Sequence, residues 1–309
     1  MKQIALLIAV FITTTLFGQT YEYVYRNNTD STFNCYLKVI PEGGSIRGLV
    51  IRDYSVLPDT AKKGPFKLTA LCAERGLMTL YTTSSNFFPE FFCSDSLISR
   101  LDEMVGEVIN EHAIPKENIF IGGISASGTR ALRYAQYCRQ GKSKFGIKIR
   151  GVFAVDSPLD LARFYHSAEK NKANFKAGML WEAELMPKVW PHYFSGSPDE
   201  FPKEYLDASV FSHQDSLGGN AVFLKDCDII LYHEPDIDWW LKERGASYYD
   251  INSFDIAAFA LKLEMLGNTN VKLVTTTGKG FDRDGNRKCH SWTIVDEEDL
   301  VNWITDRIE

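Results

Sequence analysis

The chain has 309 residues, a formal net charge of −6, 45% hydrophobic residues and 24% charged residues. A chain of this length and composition forms one large α/β domain or two small ones, and it buries enough apolar surface to fold without a metal or a disulfide. No basic stretch exceeds a few residues, which argues against nucleic acid as a partner.

The N-terminal residues have the pattern of a secretory signal peptide. Lys2 precedes an apolar stretch, Ile4 to Phe17, that is too short to cross a bilayer comfortably. We therefore expect cleavage near Gln19, exclude residues 1–18 from the fold, and assign 19–309 to one secreted or periplasmic domain. A buried N-terminal helix is the alternative. No cysteine lies near the cleavage site, so no stable membrane anchor is expected.

Strand and helix patterns then follow one another along the mature chain. The first two or three strands have hairpin spacing, so this edge of the sheet should be antiparallel. The later alternation of strands and helices predicts an α/β fold, with a mostly parallel central sheet flanked by helices. The early strands are 21–26, 31–44 and 46–54, the later ones 77–85, 118–123, 149–156, 228–236 and 270–278, and the helices 65–76, 97–109, 129–140 and 297–308.

The alternation stops between residues 159 and 222. This stretch carries many aromatic residues and no strong strand pattern, so we predict an inserted helical segment that forms a lid over an apolar substrate. The alternative is that the aromatic residues only build a small core for the insertion itself.

Six cysteines, Cys35, Cys72, Cys93, Cys138, Cys227 and Cys289, are scattered along the chain. Export permits disulfides, but the pairing cannot be deduced from sequence, and we expect buried thiols together with one or two bridges. The spacing does not support a metal site, and no cofactor is predicted.

A serine stands at the end of the strand 118–123, where a parallel sheet has its binding crevice. A very tight strand-to-helix turn presents a side chain there, and the crowded backbone needs small residues two before and two or three after it. Around Ser125 these positions hold Gly123, Ser127 and Gly128. Around Ser127 they would hold Thr129 and Arg130, which fit such a corner badly. Ser125 is therefore the better candidate nucleophile.

The segment 123–127 resembles the nucleophile elbow G-x-S-x-G of the α/β-hydrolase superfamily, with Ser127 in place of the last glycine. The resemblance in element order covers residues 21 to 309 apart from the insertion, and it implies an esterase-like serine hydrolase with a Ser-His-acid triad. In that family the histidine lies after the last strand and before the last helix. Only His290 among the six histidines has this position.

The resemblance places the acid after the strand 228–236. Asp236 stands closest to the strand end and matches the usual aspartate of the family. Asp238 also qualifies, but it is well placed to cap the next helix. Asp156 is a third candidate, because some relatives carry the acid one strand earlier. Its segment, Asp156 to Asp160, also has the pattern of a helix start with Ser157 as N-cap.

The oxyanion hole implied by the resemblance needs two donors. The backbone N–H of Ala126 is one by position. The second comes from the loop after the strand 46–54, where the family often has a His-Gly pair and this chain has Arg52-Asp53-Tyr54-Ser55. We expect Tyr54 to serve, through its phenol or its backbone N–H, or else a backbone N–H near Asp53.

The sequence thus predicts an exported serine hydrolase that cleaves a carboxylic ester, with Ser125, Asp236 and His290 as triad. Its partner would be a small-molecule, glycan-linked or lipid ester. A peptidase of the same fold is one alternative, in which Glu182 or Glu184 of the insertion would hold the substrate amine. A binding protein of this fold without turnover is the other.

Overall fold

A nine-stranded mixed sheet crosses the part of the chain that the computed structural model describes, which is residues 13–15, 19–27, 30–43, 45–59, 66–87 and 90–308. The strands are β1 (Thr13–Thr15), β2 (Gln19–Tyr25), β3 (Cys35–Pro41), β4 (Gly48–Asp53), β5 (Leu77–Thr83), β6 (Ile119–Ile124), β7 (Gly151–Val155), β8 (Asp228–His233) and β9 (Val271–Thr275). Their order across the sheet is β1-β2-β3-β5-β4-β6-β7-β8-β9.

The sheet is antiparallel at one edge and parallel elsewhere, as the sequence predicts. Strands β1, β2, β3 and β5 pair antiparallel in that order, and all pairs among β4 to β9 are parallel. The third early strand does not continue the hairpin. Strand β4 lies between β5 and β6, because a helix carries the chain from β4 across to its parallel neighbour β5.

Helices cover both faces of the sheet. They are α1 (Lys67–Glu74), α2 (Asp95–His112), α3 (Ala126–Arg139), α4 (Leu161–Asn171), α5 (Ala177–Tyr193), α6 (Pro202–Ala208), α7 (Ile237–Trp239, continued by a π-turn at Trp240–Arg244), α8 (Asn252–Met265) and α9 (Glu297–Thr305). Short 3₁₀ segments occupy Gly219–Leu224 and Trp292–Ile294.

The two faces of the sheet build two separate cores. In β4, Leu49 and Ile51 pack into a cluster with α2, α3 and α8, whereas Val50 packs into a cluster with α1 and α9. Successive side chains of a strand point to opposite faces, so a strand covered on both faces is apolar throughout. This explains the unbroken apolar runs from which the strands were predicted.

Helices α4 to α6 lie between β7 and β8, in the stretch predicted as an insertion. Their apolar side chains form a cluster around Trp190 and Tyr205 that also takes in Phe91 and Ala126. The rings of Phe91 and Trp190 meet edge to face, with centroids 5.6 Å apart. The insertion therefore has a core of its own and also packs on the first residue of α3, directly behind the candidate nucleophile.

Within the described residues, no helix is both long enough and apolar enough to cross a bilayer. Strand β1 lies inside the predicted leader, whereas residues 1–12 and 16–18 lie outside the described residues. Cleavage near Gln19 and export stay predictions. All six cysteines are free thiols, five of them buried, so the expected bridges are wrong. The cysteines belong to different strands, helices and loops, which keeps them dispersed.

A buried carboxylate joins the insertion to the rest of the molecule. Asp255 of α8 accepts the backbone N–H groups of Leu159 (3.0 Å) and Asp160 (3.2 Å) in the segment that leads to α4. It also pairs with Arg163 of α4 through two nitrogens and with His213 Nε2 at 3.0 Å. Burial alone would raise the pKa of Asp255, but Arg163 and the other donors outweigh burial and lower it to about 2.

Replacing Asp255 by asparagine should destabilise the fold strongly. The change leaves the buried Arg163 guanidinium without a counter-charge, and breaking a buried pair in this way costs about 3 kcal/mol or more. Urea unfolding measures the loss. Asp207→Asn is the matched control, because its pair with Lys203 is exposed on both sides, and such pairs contribute less than about 1 kcal/mol. Equal losses in the two variants would contradict the anchoring role.

Candidate active site

Ser125 occupies the sharp turn between β6 and α3. Its backbone has φ 56° and ψ −132°, a conformation that residues other than glycine rarely adopt. Its N–H donates to the carbonyl of Val155 on the neighbouring strand β7, at 2.8 Å. The turn places Ser125 at the carboxyl end of the sheet, in front of the N-terminus of α3.

The residues around this turn are packed too tightly for larger side chains. A Cβ atom on Gly123 would lie 2.2 Å from Ser127 Oγ, and one on Gly128 would lie 2.1 Å from Ser157 Oγ and 2.8 Å from the Gly123 carbonyl oxygen. Distances this short exclude a side chain at either glycine without a shift of the backbone. The small residues predicted to be needed around Ser125 are needed in the structure.

His290 and Asp156 form a short hydrogen-bonded pair. Asp156 directly follows β7, has φ 42°, and is 2% exposed. Its Oδ2 lies 2.6 Å from His290 Nδ1. This contact leaves Nε2 as the imidazole nitrogen that is available for another partner.

Ser125 and His290 line one cavity of about 290 Å³. The insertion contributes Phe164, Met179 and Glu182 to its wall. A catalytic triad consists of a serine hydroxyl, an imidazole and a carboxylate behind the imidazole. Ser125 and His290 thus share one cavity, with the Asp156 carboxylate behind the imidazole.

No protein-family model and no curated protein matches the sequence. Several solved structures are nevertheless similar. Carboxyl esterase 2 from the mycorrhizal fungus Tuber melanosporum is 10% identical with a TM-score of 0.60, and the match covers 96% of this chain and 89% of that one. An S-formylglutathione hydrolase from Agrobacterium tumefaciens is 11% identical with a TM-score of 0.57, covering 98% and 100%. The Pyrococcus horikoshii acylaminoacyl peptidase is 14% identical with a TM-score of 0.51, covering 79% of this chain but 34% of that one.

The chain has the α/β-hydrolase fold. At these identities the similarity shows the fold alone, and it confirms the fold class expected from the sequence.

Within this α/β-hydrolase fold, the acid predicted from the sequence does not face His290. Asp236 accepts the Trp239 N–H at 3.1 Å, which caps α7, and it pairs with Arg287 at 3.0 Å. It therefore has the capping role that was expected of Asp238. The carboxylate beside His290 belongs to Asp156.

The helix after β7 explains why Asp156 is available. The sequence suggested that this helix starts with Ser157 as N-cap. In the structure α4 begins at Leu161, and its N-cap is Asp160, which accepts the Arg163 N–H at 3.0 Å. Residues 156–160 connect β7 to α4. In this connection, Asn252 of α8 donates to the Asp156 carbonyl at 2.8 Å. Asp156 is thus held at the strand end and is not part of a helix cap.

Tyr54 does not fit the predicted oxyanion hole. Its backbone N–H donates to the Thr82 carbonyl at 2.9 Å, its phenol is hydrogen-bonded by Arg52, and it lies outside the cavity wall. Ala126 is the first residue of α3, and the first N–H of a helix has no acceptor within the helix, so its predicted role in the oxyanion hole stays a prediction. Ser55, which was not among the predicted donors, has a buried hydroxyl without a partner among the described residues. It is an available donor at this end of β4.

The Asp53 carboxylate does not point into the site. It accepts hydrogen bonds from Thr82 and Ser84 and pairs with Arg130 Nε at 3.1 Å. The Asp53 carbonyl accepts from Ser127 Oγ at 2.6 Å and from Arg130 at 3.0 Å. These contacts fix the loop after β4 to α3, and the negative charge of Asp53 is paired with Arg130 inside the protein.

The surroundings of His290 stabilise its charged form. Burial alone would lower the pKa of His290, but the charge and hydrogen bond of Asp156, with a smaller effect of Glu182, outweigh burial and raise the pKa. An imidazolium formed here by proton transfer is therefore stabilised where it forms.

Asp156→Asn should lower the pKa of His290, because the change removes the nearest negative charge and leaves the shape of the side chain. Asp236→Asn should shift it much less, since Asp236 pairs with Arg287. Titration of ¹³C-labelled histidines by NMR measures both shifts, with the His290 signal assigned through His290→Gln. A larger shift in Asp236→Asn than in Asp156→Asn would restore the acid predicted from the sequence.

Proposed function

We propose that the protein is an exported serine hydrolase that cleaves carboxylic esters through an acyl-enzyme, with Ser125, His290 and Asp156 as triad. The observation that carries the proposal is the joint geometry of these residues. Ser125 sits on a strained elbow, His290 lines the same cavity, and Asp156 lies 2.6 Å from the far nitrogen of the imidazole.

The reaction follows from the roles of the three side chains. Ser125 Oγ attacks the ester carbonyl while its proton passes to His290 Nε2, and Asp156 stabilises the imidazolium. The Ala126 N–H and the N-terminus of α3 stabilise the oxyanion. The C–O bond to the alcohol then breaks, and the alcohol takes the proton from His290. Water repeats the sequence on the acyl-enzyme and releases the acid.

Two further observations support an ester as substrate. Solved structures of similar fold include proteins described as esterases, from Tuber melanosporum and from Rhizomucor miehei. Aromatic and apolar side chains of the insertion line the cavity, which suits an apolar group on the ester and a lid function for the segment 159–222. An exported enzyme would meet glycan-linked or lipid esters.

A peptidase is the second candidate. The observation that favours it is Glu182, which brings a carboxylate into the cavity beside His290, as expected for a site that holds a substrate amine. The acylaminoacyl peptidase from Pyrococcus horikoshii has a similar fold over 34% of its own length. Parallel assays with ester and amide substrates that share one acyl group distinguish the two.

A fluorophosphonate should label the intact protein on the peptide that contains Ser125. Ser125→Ala should abolish the labelling, and Ser127→Ala should retain it, because Ser127 Oγ is engaged with the Asp53 carbonyl. Mass spectrometry of the digested protein locates the adduct. Label on Ser127 would overturn the assignment of the nucleophile, and a protein that resists labelling would be a binding protein without turnover.

The pH dependence of kcat/KM should report His290. The general base must be neutral, and the pKa of His290 is raised above its ordinary value of 6.5. Activity should therefore fall on acidification, with a midpoint above 6.5. In Asp156→Asn the midpoint should move to lower pH, and kcat should drop on the order of a thousandfold or more. A midpoint that stays in place in Asp156→Asn would contradict the role of Asp156.

A further inference from the structure

Glu182 belongs to the cavity wall and takes no part in the proposed reaction. It lies on α5 of the insertion and is half-buried. Its carboxylate has no hydrogen-bond or ion-pair partner among the described residues, although it feels the charges of His290 and Asp156. Burial raises the pKa of Glu182, and an enclosed carboxylate without a partner is costly to keep. A ligand that carries positive charge would remove that cost.

Aromatic rings share the cavity with this carboxylate. Phe91, Phe164 and Trp240 all contribute to the wall. The faces of aromatic rings attract organic cations, and a carboxylate beside such rings is the combination that recognises ammonium groups. The rings are independent of Glu182 and indicate the same class of ligand.

The cavity wall has other charged residues that could also bind a ligand. Asp250 is saturated by Ser167, Asn171 and Ser247, which leaves it little capacity for a ligand. Arg244 lies over the ring of Trp239, 4.7 Å from its centroid, and donates to a backbone carbonyl.

Lys288 is the remaining charged residue of the wall, and its ammonium has no ion-pair partner among the described residues. It is the residue that would favour an anionic ligand instead, so it has to be tested beside Glu182.

We propose that the cavity selects substrates with an ammonium group close to the scissile carbonyl, and that Glu182 determines this specificity. The inference rests on the proposed function, since it concerns the substrate of the same site. The ammonium group has two possible sources, an α-amine on the acyl side or a quaternary amine on the alcohol side. Both would bind through charge to Glu182 and through contact with the aromatic rings.

Binding of such a substrate should also affect the base. Burial lowers the pKa of His290, Asp156 raises it most and Glu182 adds to that rise, whereas Lys288 opposes it. A bound cation shields the charge of Glu182, so His290 should lose its proton more easily with a cationic substrate than with a neutral one. The acid limb of kcat should then lie at lower pH for the cationic substrate.

The test compares two matched substrate pairs. An alanine ester is compared with its N-acetyl derivative, which removes the charge on the acyl side. An acylcholine is compared with the 3,3-dimethylbutyl ester of the same acid, which removes the charge on the alcohol side. The ratio of kcat/KM for the charged and neutral members is measured in the wild type, Glu182→Gln, Glu184→Gln and Lys288→Gln. Each ratio is taken within one variant, so a misfolded fraction cancels.

The wild type should prefer the charged member of one pair, and Glu182→Gln should lower that ratio by roughly tenfold, as expected for loss of a charge contact of 1–2 kcal/mol. Glu184→Gln should keep the wild-type ratio, because Glu184 is exposed on the same helix. The pair that responds identifies the side that carries the ammonium group.

Unchanged ratios in Glu182→Gln, or preference for the neutral member of both pairs, would overturn the inference. Preference for a succinylated alanine ester that is lost in Lys288→Gln would overturn it in favour of an anionic substrate. In each of these cases fluorophosphonate labelling of Ser125 would leave the proposed function standing. Absence of labelling overturns the proposed function itself, so the two failures are distinguishable.

Discussion

The carboxylate of Asp255 connects three parts of the chain that are distant in sequence: α8, the turn after β7 and the helical insertion. Its charge is buried, so it is held by the Arg163 guanidinium and by two backbone N–H groups of that turn. The turn carries Asp156, whose carbonyl is fixed by Asn252 from the same helix. The direction in which Asp156 faces His290 therefore depends on a charge that itself does not reach the site.

A second buried acid, Asp53, fixes the chain on the other side of the elbow. Asp53 fixes the end of β4 to β5 through Thr82 and to α3 through Arg130. Its carbonyl holds Ser127, the residue that replaces the usual glycine of the elbow. The serine at this position is therefore more than a tolerated small residue, because its hydroxyl joins the loop after β4 to the start of α3. Both sides of the crevice are fixed by groups that have no part in the proposed reaction.

The parts of the site that local sequence signals specify were predictable, and the parts that depend on contacts across strands were not. Small residues around Ser125 and the place of His290 in the chain order are local signals. The acid is different, because Asp156 and Asp236 follow neighbouring strands and both stand at the same edge of the sheet. Arg287, three residues before His290, decides between the two acids. It forms ion pairs with Asp236 and Glu234. That arginine was visible in the sequence, but its partners were not.

Ser125 and Asp156 both have a positive φ, 56° and 42°, which residues other than glycine adopt infrequently. Each such position costs roughly 1–3 kcal/mol, and a whole domain is stable by only about 5–15 kcal/mol. Under the proposed function, selection for the reaction opposes selection for stability at two neighbouring strand ends. In a lineage that no longer needed the activity, glycine at either position would be favoured by stability alone. Descendants of this chain that lost catalysis should carry that replacement early in their divergence.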